Sequence, residues 1–223
     1  MNDVELVIFD CDGVLVDSEI LGITIETELL GSAGYDASVP VFTERFSGMS
    51  WRDILAILEA ESGLSLMDEL LDKTETELDI RIPKEVEAVA GIRAALEELQ
   101  LPKCVCSNTK LPRVTAMLDR VGLREFFGPN IFSAKDLGEG RSKPKPDIFL
   151  FGASTMGVDP VHAVVVEDSV HGVHAARSAG MRVIGFTGGK HTFQNHAHNL
   201  RNAGAHIIVS HMCDLPSAIA EIN

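Results

Sequence analysis

A chain of 223 residues, 45% hydrophobic and 23% charged, carries enough apolar material to bury a core and is long enough for one large domain or a core with an insert. Its formal net charge of −14 excludes nucleic acid, which is held by an excess of Lys and Arg that releases counterions, and excludes docking on an anionic membrane. No apolar run reaches the roughly 18–20 residues of a membrane span, and the acidic start Met1-Asn2-Asp3-Val4-Glu5 lacks the basic stretch that opens a signal peptide.

The first strand is expected at residues 4–9, short and apolar, and it runs straight into Asp10-Cys11-Asp12-Gly13. From about Asp17 to Glu87 no strand pattern occurs. Asp17-Ser18 can cap a helix that runs through Ile20, Leu21 and Ile23 to Leu29-Leu30, and residues 51–58 and 67–80 also read as helices. This predicts a helical insert with linkers near residues 14–17 and 83–91, so that 1–16 and 88–223 form a core domain and 17–87 a second domain. Two linkers permit a hinged lid. The acids of residues 75–87 are read as its solvated face.

Beyond the insert, a helix at 91–99 leads to a strand at 103–106 and then to Ser107-Asn108-Thr109. A helix opening at Pro112 runs to Val121, and a strand follows at 130–132. Lys143-Pro144-Lys145-Pro146 precedes a helix starting near Asp147. The strand at 162–166 ends on Glu167-Asp168-Ser169, the next helix runs from 170 to 179 and is closed by Gly180, and strands at 181–186 and 206–209 complete the chain. Short apolar runs alternating with helices predict an α/β fold, a doubly wound, Rossmann-like parallel sheet.

In such a sheet ligands bind beyond the carboxyl ends of the strands. Three strand ends here carry short polar residues, two of them paired acids, with Lys143 nearby. One acid in that place is read equally well as a helix cap; three sites converging on one edge point to chemistry. Clustered carboxylates repel unless a cation holds them, and an oxygen-only set suits Mg²⁺. Asp10 and Asp12, two apart, share a face, so one can attack phosphorus while the other lies beside the leaving oxygen. A carboxylate competes as a nucleophile once cations neutralise the phosphoryl oxygens. Gly13 lets the backbone turn sharply, and Cys11 points to the opposite face.

These residues resemble the four signature motifs of the haloacid dehalogenase superfamily. Asp10-Cys11-Asp12-Gly13-Val14 is similar to its D-x-D-G-x, Ser107 with Asn108 to its Ser/Thr motif, Lys143 to its lysine and Glu167-Asp168 to its paired acids. The helical insert resembles the type-1 cap of that family. The resemblance implies that Asp10 forms an aspartyl-phosphate and that Asp12 protonates the leaving alcohol and then activates water. It also implies that Mg²⁺ is held by Asp10, Asp168 and the backbone carbonyl of Asp12, with Glu167 orienting the metal shell. Ser107, Asn108 and Lys143 would hold the phosphoryl oxygens, and Lys145 would be an exposed loop lysine.

Family dehalogenases lack a carboxylate at the position of Asp12, so the resemblance favours phosphate-ester chemistry. Its nearest branch holds β-phosphoglucomutases and sugar-phosphate phosphatases. The mutases carry a cap histidine where this chain has Gly22, and an arginine soon after Gly-x-Ser, where Gly48-Met49-Ser50 is followed by Trp51 and only then Arg52. A shift of one place turns a helical side chain by about 100°. The expected activity is therefore hydrolysis of a small phosphate monoester, a sugar phosphate such as 6-phosphogluconate, with a mutase as the alternative. A phosphoacceptor signalling module is a remote alternative, since receiver domains are near half this length and lack the insert. Arg45, Ser50, Trp51 and Arg52 are the candidate substrate contacts of the insert; an arginine there can pair with a carboxylate or second phosphate of the substrate.

Cys11, Cys104, Cys106 and Cys213 form no C-x-x-C and are read as buried free thiols of a cytoplasmic protein. His191, His196 and His198 are read as surface loop residues rather than a zinc site, and His171 and His174 as helix-face residues in packing or solvent.

Overall fold

The computed structural model describes residues 4–46 and 49–222; Met1 to Asp3 at the start and Gly48 lie outside the described residues. Two compact units divide the chain, one made of Met1–Asp17 and Glu87–Asn223, the other of Ser18–Val86.

The first unit is built on strands β1 (Leu6–Phe9), β2 (Lys103–Ser107), β3 (Ile131–Ser133), β4 (Ala163–Glu167), β5 (Arg182–Phe186) and β6 (Ile207–Val209). They form one sheet of order β3-β2-β1-β4-β5-β6, and every neighbouring pair is parallel. The strands are near-continuous Val, Ile and Cys because both faces are covered. Alternation sorts their side chains. Leu6, Ile8, Cys104, Cys106, Val165 and Val183 fall in one buried cluster with Ile148, Phe149 and Val173, while Phe9, on the other face, meets Phe127 edge to face at 5.9 Å. The chain moves outward from β1 to β2 and β3, then returns to place β4 on the other side of β1. That reversal opens a crevice at the carboxyl ends of β1 and β4. Register sets Phe9 beside both Val105 and Val166, so Asp10, Ser107 and Glu167 arrive at nearly the same height.

The second unit is all helical: α1 (Ser18–Ser32), α2 (Val39–Phe46), α3 (Trp51–Ser62) and α4 (Met67–Glu85). Leu30, Phe42, Phe46, Leu55, Leu58, Leu66 and Leu70 make its apolar cluster. Ser50 caps α3 by accepting from the Asp53 N–H at 3.2 Å, and Gly63 ends it with a left-handed φ of 72°. Pro83, expected in a linker, lies inside the last turn of α4. Across that turn Arg81 forks onto Glu85 at 2.9 and 3.0 Å and reaches Glu28 of α1 at 2.5 Å.

Back in the first unit, the remaining helices are α5 (Ile92–Glu98), α6 (Leu111–Arg120), α7 (Asp147–Met156), α8 (Val170–Ser178), α9 (His196–Ala203) and α10 (Leu215–Glu221). The last two were not legible in the sequence, and α9 shows why: only His196, Leu200 and Ala203 are buried in an otherwise polar segment. The two places where the chain leaves and re-enters this unit pair with each other. Val16 bridges Ala88 in antiparallel fashion, the Asp17 N–H donates to the Glu87 carbonyl at 2.9 Å, and the Val89 N–H to that of Leu15 at 3.0 Å. Cys11, Cys104 and Cys106 are buried free thiols. Cys213, expected to be buried, is exposed, because in its short turn Met212 takes the inward position. No helix among the described residues is long and apolar enough to cross a membrane.

One helix carries an electrostatic cost. Burial, and secondarily the Glu19 carboxylate on the same face of α1, pushes Glu26 up to about 8 from 4.5. Between those values the native state keeps a proton that the unfolded chain has lost, so this group lowers stability as pH rises. Glu26→Gln is expected to match the parent near pH 4 and to exceed it by about 2 kcal/mol above pH 8 in urea unfolding, discounted from roughly 5 kcal/mol for partial exposure of the side chain. A difference that is flat between pH 4 and 9 would count against a buried acid there.

Candidate active site

At the end of β1 the chain must turn at once, and Gly13 makes this turn with a φ of 75°. A Cβ at Gly13 would also overlap the Asp168 carboxylate, so the residue must be bare for two reasons. The turn is closed by the Gly13 N–H donating to the Val16 carbonyl at 2.8 Å. It leaves Asp10 buried and Asp12 half-buried at the head of the sheet.

Asp10 meets Lys143, whose Nζ lies 2.5 Å from Asp10 Oδ1 and 2.7 Å from Glu167 Oε1. The same ammonium sits 4.8 Å over the Phe149 ring. Burial alone would lower the Lys143 pKa, but the carboxylates of Asp10 and Glu167 outweigh it and hold the ammonium charged. Asn108 fixes the lysine's backbone reciprocally. Its Oδ1 accepts from the Lys143 N–H at 2.9 Å, and its Nδ2 donates to the Lys143 carbonyl at 3.4 Å. Lys145 is exposed.

Glu167 is tied down on its second oxygen, which accepts from the Ser169 N–H and hydroxyl, each at 2.9 Å. Ser169 in turn caps α8 through the Gly172 N–H at 3.0 Å. Gly172 has no Cβ to collide with the Glu167 carboxylate. Asp12 Oδ2 accepts from the hydroxyls of Ser107, at 3.2 Å, and Thr109, at 2.9 Å.

Asp10, Glu167 and Asp168 each offer an oxygen within 4.8 Å of the others, and all three are buried. Three carboxylates against the one ammonium of Lys143 leave the cluster short of positive charge. The Asp10 carboxyl registers that shortage: burial drives it well above the usual range, and Glu167, Asp168 and Asp12 add to the rise against the pull of Lys143. An oxygen-only, buried, under-neutralised set fits a hard divalent cation.

Two further residues on the site were read from sequence as surface loop. His191 has only 11% of its side chain exposed, and its Nε2 lies 2.9 Å from Asp168 Oδ2. His196 is buried at the start of α9, where its Nε2 donates to the Asp168 carbonyl at 2.5 Å. Burial lowers its pKa, which suits a neutral ring donating to a carbonyl. His198, His171 and His174 are exposed. Thr109 was also missed as a partner of Asp12; its position beside Ser107 and Asn108 was the one available signal.

Within the helical unit, Arg45 is paired with Glu61 and lies over the Phe46 ring at 4.6 Å. The Ser50 hydroxyl, besides capping α3, donates to Asp53 Oδ2 at 2.6 Å. Trp51 packs against the helical cluster, 6.5 Å from the Phe42 ring, with its indole N–H unpartnered among the described residues. Arg52 is exposed.

Comparison with known proteins places this arrangement. The family described as haloacid dehalogenase-like hydrolase matches residues 7–186. The 6-phosphogluconate phosphatase of Escherichia coli K12 is 30% identical over 197 residues, 86% of each chain. A haloacid dehalogenase-like protein of unknown function from Agrobacterium tumefaciens is 53% identical, with a TM-score of 0.93 over 98% of this chain and 99% of that one. A family hydrolase from Deinococcus radiodurans, solved with bound phosphate and sodium, is 30% identical, with a TM-score of 0.85 over 100% and 97%. The chain therefore belongs to the haloacid dehalogenase-like hydrolases, among the phosphatases of that family.

Proposed function

We propose that the protein is a Mg²⁺-dependent phosphatase of small phosphorylated sugars that works through an aspartyl-phosphate on Asp10. The observation that carries this reading is the pair at one strand end. Asp10 is buried against Lys143, and Asp12, two residues on, is aligned by two hydroxyls. Asp10 and Asp168, with the backbone carbonyl of Asp12, would hold Mg²⁺, and Glu167 would orient the metal shell; the cation when bound neutralises the phosphoryl oxygens.

Lys143 and Ser107 hold the phosphoryl group, and Asn108 holds the segment that carries Lys143. A carboxylate oxygen of Asp10 attacks phosphorus as the bond from phosphorus to the ester oxygen breaks, and Asp12 delivers its proton to that oxygen. Asp12 then takes a proton from water while the water oxygen attacks phosphorus. The bond from phosphorus to Asp10 breaks, inorganic phosphate leaves, and Asp10 is regenerated.

The E. coli relative is named for 6-phosphogluconate, which makes that compound the first substrate to test. Arg45, Ser50, Trp51 and Arg52 are retained as candidate substrate contacts. Hydrolysis is favoured over phosphoryl return to a sugar because Gly22 offers no side chain where the mutases have their histidine, and Trp51 stands in the place of their arginine.

Phosphate release from a panel of sugar phosphates tests this directly. Release from at least one sugar phosphate is expected with Mg²⁺, falling by on the order of 10²-fold or more in excess EDTA. Release of halide from 2-haloacids without phosphate from any ester would overturn the reading. Conversion of β-glucose 1-phosphate to glucose 6-phosphate with little free phosphate would replace it with the mutase.

A further inference from the structure

We infer that His191 is a positioning residue for Asp168, holding that carboxylate in the direction in which it meets the divalent cation. The inference rests on the metal reading above. Glu167 has one oxygen fixed by Ser169, and His191 does the same for its neighbour, with Nε2 at 2.9 Å from Asp168 Oδ2. An imidazole on one oxygen of a carboxylate stops the group rotating and so aims the other oxygen.

The ring's seat is built for it. A Cβ at Gly13 or at Gly189 would press on the His191 Cε1, so the imidazole lies against two bare stretches of backbone. The His196 ring approaches it at 5.6 Å, while His196 itself holds the Asp168 carbonyl. The loop carrying His191 is pinned on both sides. The Lys190 N–H donates to the buried carboxylate of Asp17 at 3.0 Å, and the Thr192 hydroxyl to the Thr187 carbonyl at 3.0 Å. The Lys190 ammonium reaches Glu87 at 2.5 Å, but at 57% exposure that pair contributes little; the backbone bond to Asp17 is the anchor.

Calorimetric titration of Mg²⁺ into the full chain tests the role without reference to turnover. His191→Ala and His191→Phe are expected to bind Mg²⁺ about 10–100-fold more weakly than the parent. His191→Gln, whose Nε2 occupies the place of the imidazole Nε2, is expected to stay within about threefold. His191→Phe fills the same seat without the hydrogen bond, so its melting temperature without Mg²⁺ should match the parent, which separates aim from packing. Mg²⁺ binding by the Ala and Phe variants within twofold of the parent would overturn the inference, as would a Gln variant as weak as Phe. A parent that takes up no Mg²⁺ would overturn the metal reading itself, a different result from a parent that binds and a variant that binds equally well.

Discussion

Asp10→Asn is expected to abolish turnover, by on the order of 10⁴–10⁶-fold, while the protein stays folded. An amide cannot form the acyl-phosphate bond, and neither neighbour can replace it. Glu167 is committed to Lys143 on one oxygen and to Ser169 on the other, and Asp168 is committed to His191. The fold should tolerate the change because the removed charge is one of three crowded carboxylates, and Lys143 keeps Glu167 as its counter-ion. The melting temperature without Mg²⁺ should be unchanged or higher, since relief of repulsion opposes the lost bond to Lys143. Hydrolysis of p-nitrophenyl phosphate and a circular-dichroism melt check both halves. A variant retaining a tenth of the parent activity places the nucleophile elsewhere.

Asp12→Asn should slow the reaction by on the order of 10²–10⁴-fold, the usual worth of a positioned acid/base. The amide can still sit under the hydroxyls of Ser107 and Thr109, so loss of proton transfer rather than loss of structure is being measured. Single-turnover release of the alcohol sharpens the result, because it reads only the first half of the reaction. An alkyl leaving group needs a proton and should show the full loss, whereas nitrophenolate leaves without one and should show much less. Equal losses for the two esters would remove Asp12 from the role of acid.

The parts of this architecture that repeat were legible in the sequence. Strands such as Ala163–Glu167 are unbroken apolar runs that stop at polar residues, and a buried parallel strand has few other ways to read. Asp10, Ser107 and Glu167 were found because strand ends in such a sheet converge, which makes position along the chain a guide to position in space. His191, His196 and Thr109 were not found for the opposite reason. The two histidines lie in a polar stretch with no period, and His196 reaches the Asp168 carbonyl from 28 residues away. Thr109 reaches Asp12 across 97 residues, a separation that no local pattern reports. Gly189 was visible, but what it makes room for is the His191 ring two residues on, which only the folded loop reveals.

The paired chain crossings bear on how such a molecule can change. Asp17 and Glu87 are already joined by a backbone hydrogen bond, flanked by the Val16–Ala88 bridge and the Val89–Leu15 bond. From the sheet's side the segment between them is the tip of a hairpin, however many residues it holds. The entropy of closing a tip grows only with the logarithm of its length, about 0.6 kcal/mol per doubling, so the sheet is nearly indifferent to what is mounted there. The contiguous cassette of residues 18–86 can therefore be exchanged for another, while Asp10, Glu167 and Asp168 remain at the ends of strands that never register the replacement.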